Sequence, residues 1–274
     1  LSAYLTTANR LRIVKIEDAN QETPRVKSFT FKDKLCSKAK PGQFIMVWIP
    51  DVDEVPMSLS GISPHACSIS VKKVGEATRA LHQREVGDYI GIRGPFGNGF
   101  HIVGGKVMVV GGGTGMASLM PLAESLVREK AKVTFLLGAK TKNELPFRER
   151  MQAVLSKIRG RFEVTTEDGS YGSKGVVVDL AEKYLAKEKL DMIYTCGPEP
   201  MMHKMLLLAE RFHTPLQASL ERLMRCAIGI CGTCVIGKYR VCKDGPVFTG
   251  EQLSEVREEF GHFKRTFDGR RVKL

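Results

Sequence analysis

Val107-Met108-Val109-Val110-Gly111-Gly112-Gly113-Thr114-Gly115-Met116-Ala117-Ser118 reads as a buried strand, a glycine-rich turn and the start of a helix. The apolar run suits a strand covered on both faces. Met116 to Lys130 continues as an amphipathic helix. A turn of this kind brings backbone N–H groups and a helix dipole toward an anion. Ser118 replaces the third glycine of G-x-G-x-x-G, so the motif alone describes a ligand-free tight turn as well as a phosphate cradle. Its surroundings extend the pattern: strands at Val133 to Leu137, Phe162 to Thr165 and Met192 to Thr195 alternate with helices at Phe147 to Ile158, Val177 to Lys187 and Glu199 to Phe212. Such alternation predicts a parallel, Rossmann-like α/β sheet. The strand ending at Thr195 delivers a second turn, Cys196-Gly197-Pro198, at what would be the carboxyl edge of the same sheet. Gly111, Gly112, Gly113, Thr114, Gly115, Cys196, Gly197 and Pro198 are therefore candidate nucleotide-binding residues.

Downstream, Cys226, Cys231, Cys234 and Cys242 have the spacing C-x4-C-x2-C-x7-C in a glycine-punctuated loop. That is the ligand run of a plant-type 2Fe-2S cluster. Gly229, Gly232 and Gly237 supply the left-handed turns needed to curl a backbone around sulfur. Two ferric ions, two sulfides and four thiolates sum to a dianion, which Arg222, Arg225, Lys238, Arg240 and Lys243 flank in sequence. Zinc ligands usually come as two spaced pairs, which this loop lacks. Cys36, Cys67 and Cys196 are scattered, and the odd total of seven cysteines argues against a disulfide framework.

Before residue 104 the rhythm differs. Short β-like runs at Leu11 to Ile16, Val26 to Phe31, Gln43 to Ile49, Cys67 to Val71 and Tyr89 to Ile92 predict a small antiparallel β-barrel. A nicotinamide gives up electrons in pairs and an iron–sulfur cluster takes them singly; flavin handles both, and the barrel is the place to hold it. Pro56-Met57-Ser58-Leu59-Ser60 and Gly75-Glu76-Ala77-Thr78, with Val71 and Lys72 between them, offer hydroxyls, backbone donors and a cation. Each segment alone also reads as a strand edge or hairpin turn. Gly94 to Phe100 is a stiff turn that either shapes the cleft or only connects domains.

The expected organisation is multi-domain β plus α/β: a flavin barrel over 1–103, a nucleotide domain over 104–215, a cluster module over 216–255 and a basic tail over 256–274. At 274 residues, 43% hydrophobic and 26% charged, the composition is globular. The longest uncharged run, Val107 to Ala123, is broken by glycines and falls short of the ~20 apolar residues of a membrane span. With no signal peptide apparent either, a cytoplasmic protein without membrane contact is expected. The net charge of +12 is spread without interleaved aromatics, which argues against nucleic acid. Its densest patch is Phe263 to Leu274, where Lys264, Arg265, Arg270, Arg271 and Lys273 face only Asp268; a solvated tail is the default reading.

In this order the pieces resemble the ferredoxin–NADP reductase superfamily and, within it, the electron-transfer subunits of class 1B dihydroorotate dehydrogenases. The matching stretches are Pro56 to Ser58, Gly75 to Thr78, Gly94 to Phe100, Gly111 to Gly115, Glu167-Asp168-Gly169-Ser170-Tyr171-Gly172, Cys196 to Met202 and Cys226 to Phe248. The resemblance implies FAD in the barrel held by Ser58, Thr78 and neighbouring backbone, and NAD(H) on the α/β domain with Asp168 and Cys196 on its side. It also implies a 2Fe-2S cluster on the four cysteines and a partner subunit that carries FMN and oxidises dihydroorotate to orotate, two of each forming a heterotetramer. This chain would not oxidise dihydroorotate alone. Val55 stands where the family has an arginine; Lys72 or Lys73 would supply the charge. Lys140, at the end of the second strand, leaves NAD against NADP open. Two alternatives remain: the flavin and iron–sulfur subunit of a ferredoxin:NADP oxidoreductase or sulfhydrogenase, and a non-catalytic zinc scaffold.

Overall fold

The computed structural model describes residues 3–157, 160–266 and 268–274; the expected helix end at Ile158 and Phe267 of the tail lie outside them. A short helix α1 (Ala3–Ala8) precedes six strands, β1 (Arg12–Thr23), β2 (Val26–Phe31), β3 (Phe44–Ile49), β4 (Asp53–Ile62), β5 (Cys67–Lys72) and β6 (Tyr89–Phe96), with helix α2 (Glu76–His82) between the last two. They close an antiparallel barrel in the order β1-β2-β5-β4-β3-β6. Side chains alternate across a strand, which explains why β3 is apolar throughout. Ile45, Val47 and Ile49 fill the barrel, while Phe44 and Met46 point out into the core shared with the rest of the molecule.

The second layer begins at β7 (Lys106–Gly112), followed by α3 (Met116–Arg128), β8 (Lys132–Ala139), α4 (Arg148–Leu155), β9 (Gly160–Thr166), β10 (Ser173–Lys174), α5 (Val177–Leu185), β11 (Met192–Cys196), α6 (Glu199–Arg211) and β12 (Leu216–Ser219). The chain then runs through the cysteine loop, a hairpin of β13 (Val235–Ile236) and β14 (Tyr239–Arg240), and a turn of helix α7 (Val241–Asp244). It returns as β15 (Val247–Thr249), followed by α8 (Gly250–Ser254) and a last hairpin, β16 (Phe263–Arg265) and β17 (Arg271–Lys273). The seven-stranded sheet has the order β10-β9-β8-β7-β11-β12-β15, parallel except for β15. Strand β7 is central, and its alternation serves both faces: Val107 and Val109 pack under α3 and α4, Met108 and Val110 under α5 and α6.

The cysteine segment leaves the sheet from one of its strands, β12, and re-enters it as β15. Its apolar residues Met224, Ala227, Ile236 and Val241 belong to the same buried cluster as Met205 and Leu206 of α6. Burial of Met224, Ile236 and Val241 contributes about 1.5–3 kcal/mol each, so this segment draws its stability from the nucleotide layer. Val256 and Phe260, within the stretch expected to be tail, lie in the same core. Among the described residues, no helix is long and apolar enough to cross a membrane.

Candidate functional site

A cavity of about 1010 Å3 opens between the barrel and the carboxyl edge of the sheet, at the upper end of the range for small-molecule sites. From the barrel it takes Pro56, Met57 and Ser58 of β4, Lys72 of β5 and Thr78 of α2. From the sheet it takes Gly112 to Gly115 and Cys196 to Pro198. The two sets of residues singled out in the sequence, one for a flavin and one for a nucleotide, thus share one space. Seven others lie off its wall. Leu59, Ser60 and Val71 are fully buried in the barrel. Ala77 and Gly111 are packed beneath the surface, and Gly75 and Asp168 do not line the cavity. Asp168 accepts hydrogen bonds from the Ser170 N–H (2.9 Å) and hydroxyl (2.6 Å), closing its own turn. The Thr78 hydroxyl is similarly occupied, accepting from the Val74 and Gly75 N–H groups at 2.9 and 2.8 Å.

The two glycine turns are built into each other. A Cβ on Gly115 would lie 2.5 Å from the carbonyl of Cys196 and the nitrogen of Gly197, so only glycine lets the backbones touch. Gly197, at φ +155°, in turn abuts Gly112, where a Cβ would come within 2.8 Å of the Gly112 Cα. Parallel pairing of β7 with β11, Cys196 opposite Gly111, sets this register. The anion-facing amides of the α3 turn and the start of α6 are consequently one rigid unit.

Glu221, which no sequence motif singles out, and Arg222, expected beside the cluster, join this unit to the cysteine loop. Glu221 is exposed on the cavity wall; the protein surrounding the cavity desolvates it and raises its pKa, and the Lys72 ammonium pulls it back. Its charge is felt across the cavity at Cys196, whose thiol is pushed up to about 12, first by burial and then by Glu221. A thiol so held stays protonated at neutral pH. Arg222 forms a two-pronged ion pair with Glu199 at the start of α6, one arm at 2.7 Å, with both side chains almost wholly buried. Expected to offset the cluster's charge, Arg222 is instead committed to Glu199, and Lys238 pairs with Glu255 at 2.8 Å. Glu221 has no signal in the sequence beyond its position between a strand and the cysteines, and Arg222 is legible as a nearby cation but not as the partner of Glu199.

In the loop itself, Gly229, Gly232 and Gly237 all have positive φ, as their spacing suggested. Backbone N–H groups of Ile230 and Cys231 point at the Cys226 sulfur (3.4 and 3.5 Å), and the Cys242 N–H at the Cys234 sulfur (3.4 Å). Burial pushes the Cys226 thiol up, but these donors outweigh it and bring it to about 7. Cys234 also falls to about 7, chiefly through its hydrogen bond with Cys242. That same contact, with burial, drives Cys242 upward. Among the described residues no three His, Cys, Asp or Glu side chains converge on a single metal position. The thiols pair off instead, Cys226 with Cys231 and Cys234 with Cys242. The Gly94 to Phe100 turn does not line the cavity. It braces the cysteine segment: the Asn98 N–H donates to the Gly245 carbonyl at 2.6 Å, and its side-chain amide to the Asp244 carbonyl at 2.9 Å.

A β-barrel beside a parallel sheet, with one cavity at the sheet's carboxyl edge, defines the ferredoxin–NADP reductase-like class of flavin and nicotinamide oxidoreductases. Residues 109–206 match the oxidoreductase NAD-binding domain, and residues 221–254 match the iron-sulfur cluster binding domain of dihydroorotate dehydrogenase B. Over 95% of this chain and 97% of theirs, the probable dihydroorotate dehydrogenase B (NAD(+)) electron transfer subunit of Methanocaldococcus jannaschii is 42% identical. The corresponding protein of Methanocella arvoryzae is 44% identical over 94% and 97%. A chain from the structure of the NADH-dependent reduced ferredoxin-NADP oxidoreductase superposes with a TM-score of 0.80 at 31% identity, covering 90% of this chain and 92% of that one. The chain belongs to the family of electron transfer subunits of NAD-dependent dihydroorotate dehydrogenase B.

Proposed function

We propose that Cys226, Cys231, Cys234 and Cys242 hold a 2Fe-2S cluster, that FAD lies on Pro56 to Ser58, Lys72 and the turn before Thr78, and that NAD(H) lies on Gly112 to Gly115 and Cys196 to Pro198. When bound, these groups pass electrons singly, convert them to pairs and carry the pair away as hydride. The observation that carries this reading is the shared cavity, lined by flavin and nucleotide segments and by Glu221 to Met224, which lead directly into Cys226. Each part of the chain has a definable task there. The interlocked glycine turns present amides to phosphate. Lys72 supplies the cation missing at Val55, the position that also lines the cavity. The buried Cys196 thiol, held neutral, excludes water and charge from the nicotinamide side. The four thiols would hold the cluster, and the N–H groups aimed at their sulfurs would stabilise thiolate charge.

The partner is the catalytic subunit of dihydroorotate dehydrogenase B, with two of each subunit in a heterotetramer and electrons flowing from dihydroorotate to NAD+. The exposed face of the loop, with Ile230 73% accessible, is the side presented to it. A second reading, the flavin and iron–sulfur subunit of a ferredoxin:NADP oxidoreductase, is favoured by the 31% identity to such a chain and by Lys140 at the cavity wall. Purification with the catalytic subunit tests both. Dihydroorotate-dependent NAD+ reduction by the pair but not by this chain alone, FAD as the released flavin, and iron with acid-labile sulfide are expected. Released FMN alone, or zinc in place of iron, overturns the assignment.

A further inference from the structure

The basic C-terminal segment does not trail into solvent. Phe263 to Arg265 pairs with Arg271 to Lys273 as a two-stranded hairpin, and Lys264, Arg265 and Thr266 line the same cavity as the glycine turns. It is seated on α6, the helix that starts at the Cys196 to Pro198 turn. The Gly261 N–H donates to the Glu199 carboxylate at 2.9 Å. Gly261, at φ +84°, lies so close to α6 that a Cβ would fall 2.4 Å from that of His203. The His203 ring meets His262 edge to face, with centroids 4.8 Å apart.

Charge gives this placement a purpose. Of the ionisable side chains on the cavity wall, Arg222 and Glu199 neutralise each other, and Lys72 faces Glu221 beside the flavin segment. On the nucleotide arm Lys140, Lys204, Lys264 and Arg265 face Glu144 and Glu167. Four cations oppose two acids. Without the hairpin the balance would be two against two, and an arm meant for phosphates would carry no net side-chain charge. Among the described residues Lys264 makes no ion pair, and Arg265 has Glu259 only at 3.9 Å, with its Nε lacking a hydrogen-bond partner.

We infer that this hairpin is the third wall of the dinucleotide site, where Lys264 and Arg265, together with Lys204, attract and orient the phosphate oxygens of the adenosine half. The inference rests on the assignment of NAD(H) to the α/β domain. The turn at Gly112 to Gly115 supplies neutral amide donors, and the hairpin supplies the charge those donors lack.

The test uses the complete complex with its cofactors and measures dissociation constants for NADH and NADPH at low and high salt. Lys264→Glu is an exposed change that leaves the core intact. It is expected to weaken NADH binding by about three- to tenfold and to flatten the salt dependence, since one screened attraction becomes a repulsion. Flavin and iron content are expected to stay constant. Arg265→Gln shifts binding in the same direction, and so does Gly261→Val, which displaces the hairpin without altering its charges. A larger loss for NADPH than for NADH places the cations at the 2′-phosphate, and equal losses place them at the diphosphate; both support the inference. Unchanged binding and salt dependence in all three variants, with the unmodified complex binding NADH normally, overturns the hairpin's role alone. An unmodified complex that binds neither dinucleotide overturns the nucleotide site as well.

Discussion

The nucleotide turns and the cysteine loop are both glycine-rich, yet the glycines solve different problems. At Gly112, Gly115 and Gly197 the absence of a side chain lets two backbones touch. The site is preformed by packing and needs no ligand to hold its shape. At Gly229 and Gly232 the requirement is positive φ in a loop whose Cys231 and Ile230 are exposed. There Cys231 is exposed and Cys226 half-buried, while Cys234 and Cys242 sit in the core, and bonds to metal would complete the structure. One region is rigid before binding, and the other is finished by what it binds. Between them runs the Arg222 to Glu199 pair, and experiments that break one region, the other or the link separate the two designs.

Breaking the link has the largest expected effect. Arg222→Met leaves the Glu199 carboxylate buried without its partner, which costs about 3–5 kcal/mol. Unfolding by heat or denaturant measures it, and both NADH binding and cluster retention are expected to fall together. Adding Glu199→Leu in the same chain restores most of the stability, because the desolvated charge goes with its partner. If the double variant is as unstable as the single, the pair does more than neutralise a buried charge.

Breaking the loop alone comes next. Cys234→Ser is expected to lower dihydroorotate-dependent NAD+ reduction by about a hundredfold or more, exceeding the loss of an outer contact to a metal site. NADH-driven reduction of a soluble acceptor such as ferricyanide, which needs only the cavity, is expected to persist. Loss of both activities would contradict the separation of the two regions.

Breaking the turns alone should be milder in stability and opposite in function. Gly115→Ala forces a methyl against the backbone of Cys196 and Gly197, which has no flexible end to move aside. About 1–3 kcal/mol of stability is lost, NADH binding weakens, and the visible signature of the cluster is unchanged. Titration of the purified variant with NADH, followed in absorbance, distinguishes these outcomes.

Both regions were legible in sequence for the same reason: each carries its chemistry in contiguous residues. The strand, turn and helix after Val107 and the cysteine spacing needed no tertiary information. Strand β4 was hidden because Pro56, Ser58 and Gly61 interrupt its apolar alternation, where Val55 to Ser58 line the cavity. Glu221 and the pairing of Arg222 with Glu199 were hidden because both depend on contacts with other elements that nothing local marks. The hairpin from Phe263 onward was read as a solvated tail for the same cause. Its contacts are with α6, about sixty residues earlier in the chain, and no local pattern announces them.

The smallest effect tests that contact between hairpin and helix. Burial first, then the nearby His262 and Arg257, hold His203 below the ordinary histidine pKa, against the opposing pull of Glu210 and Glu199. The folded protein therefore binds this proton less readily than the unfolded chain does. Stability is full above the ordinary histidine pKa and declines as pH falls through it, since the unfolded state takes up the proton first. Chemical denaturation at pH 7.5 and at about pH 5.5 should show this loss, and His203→Asn should reduce it. Because the ring sits between α6 and the hairpin, NADH binding by the unmodified complex should weaken over the same interval more than in Lys264→Glu. An equal pH response in both proteins would mean that His203 senses the fold without adjusting the hairpin.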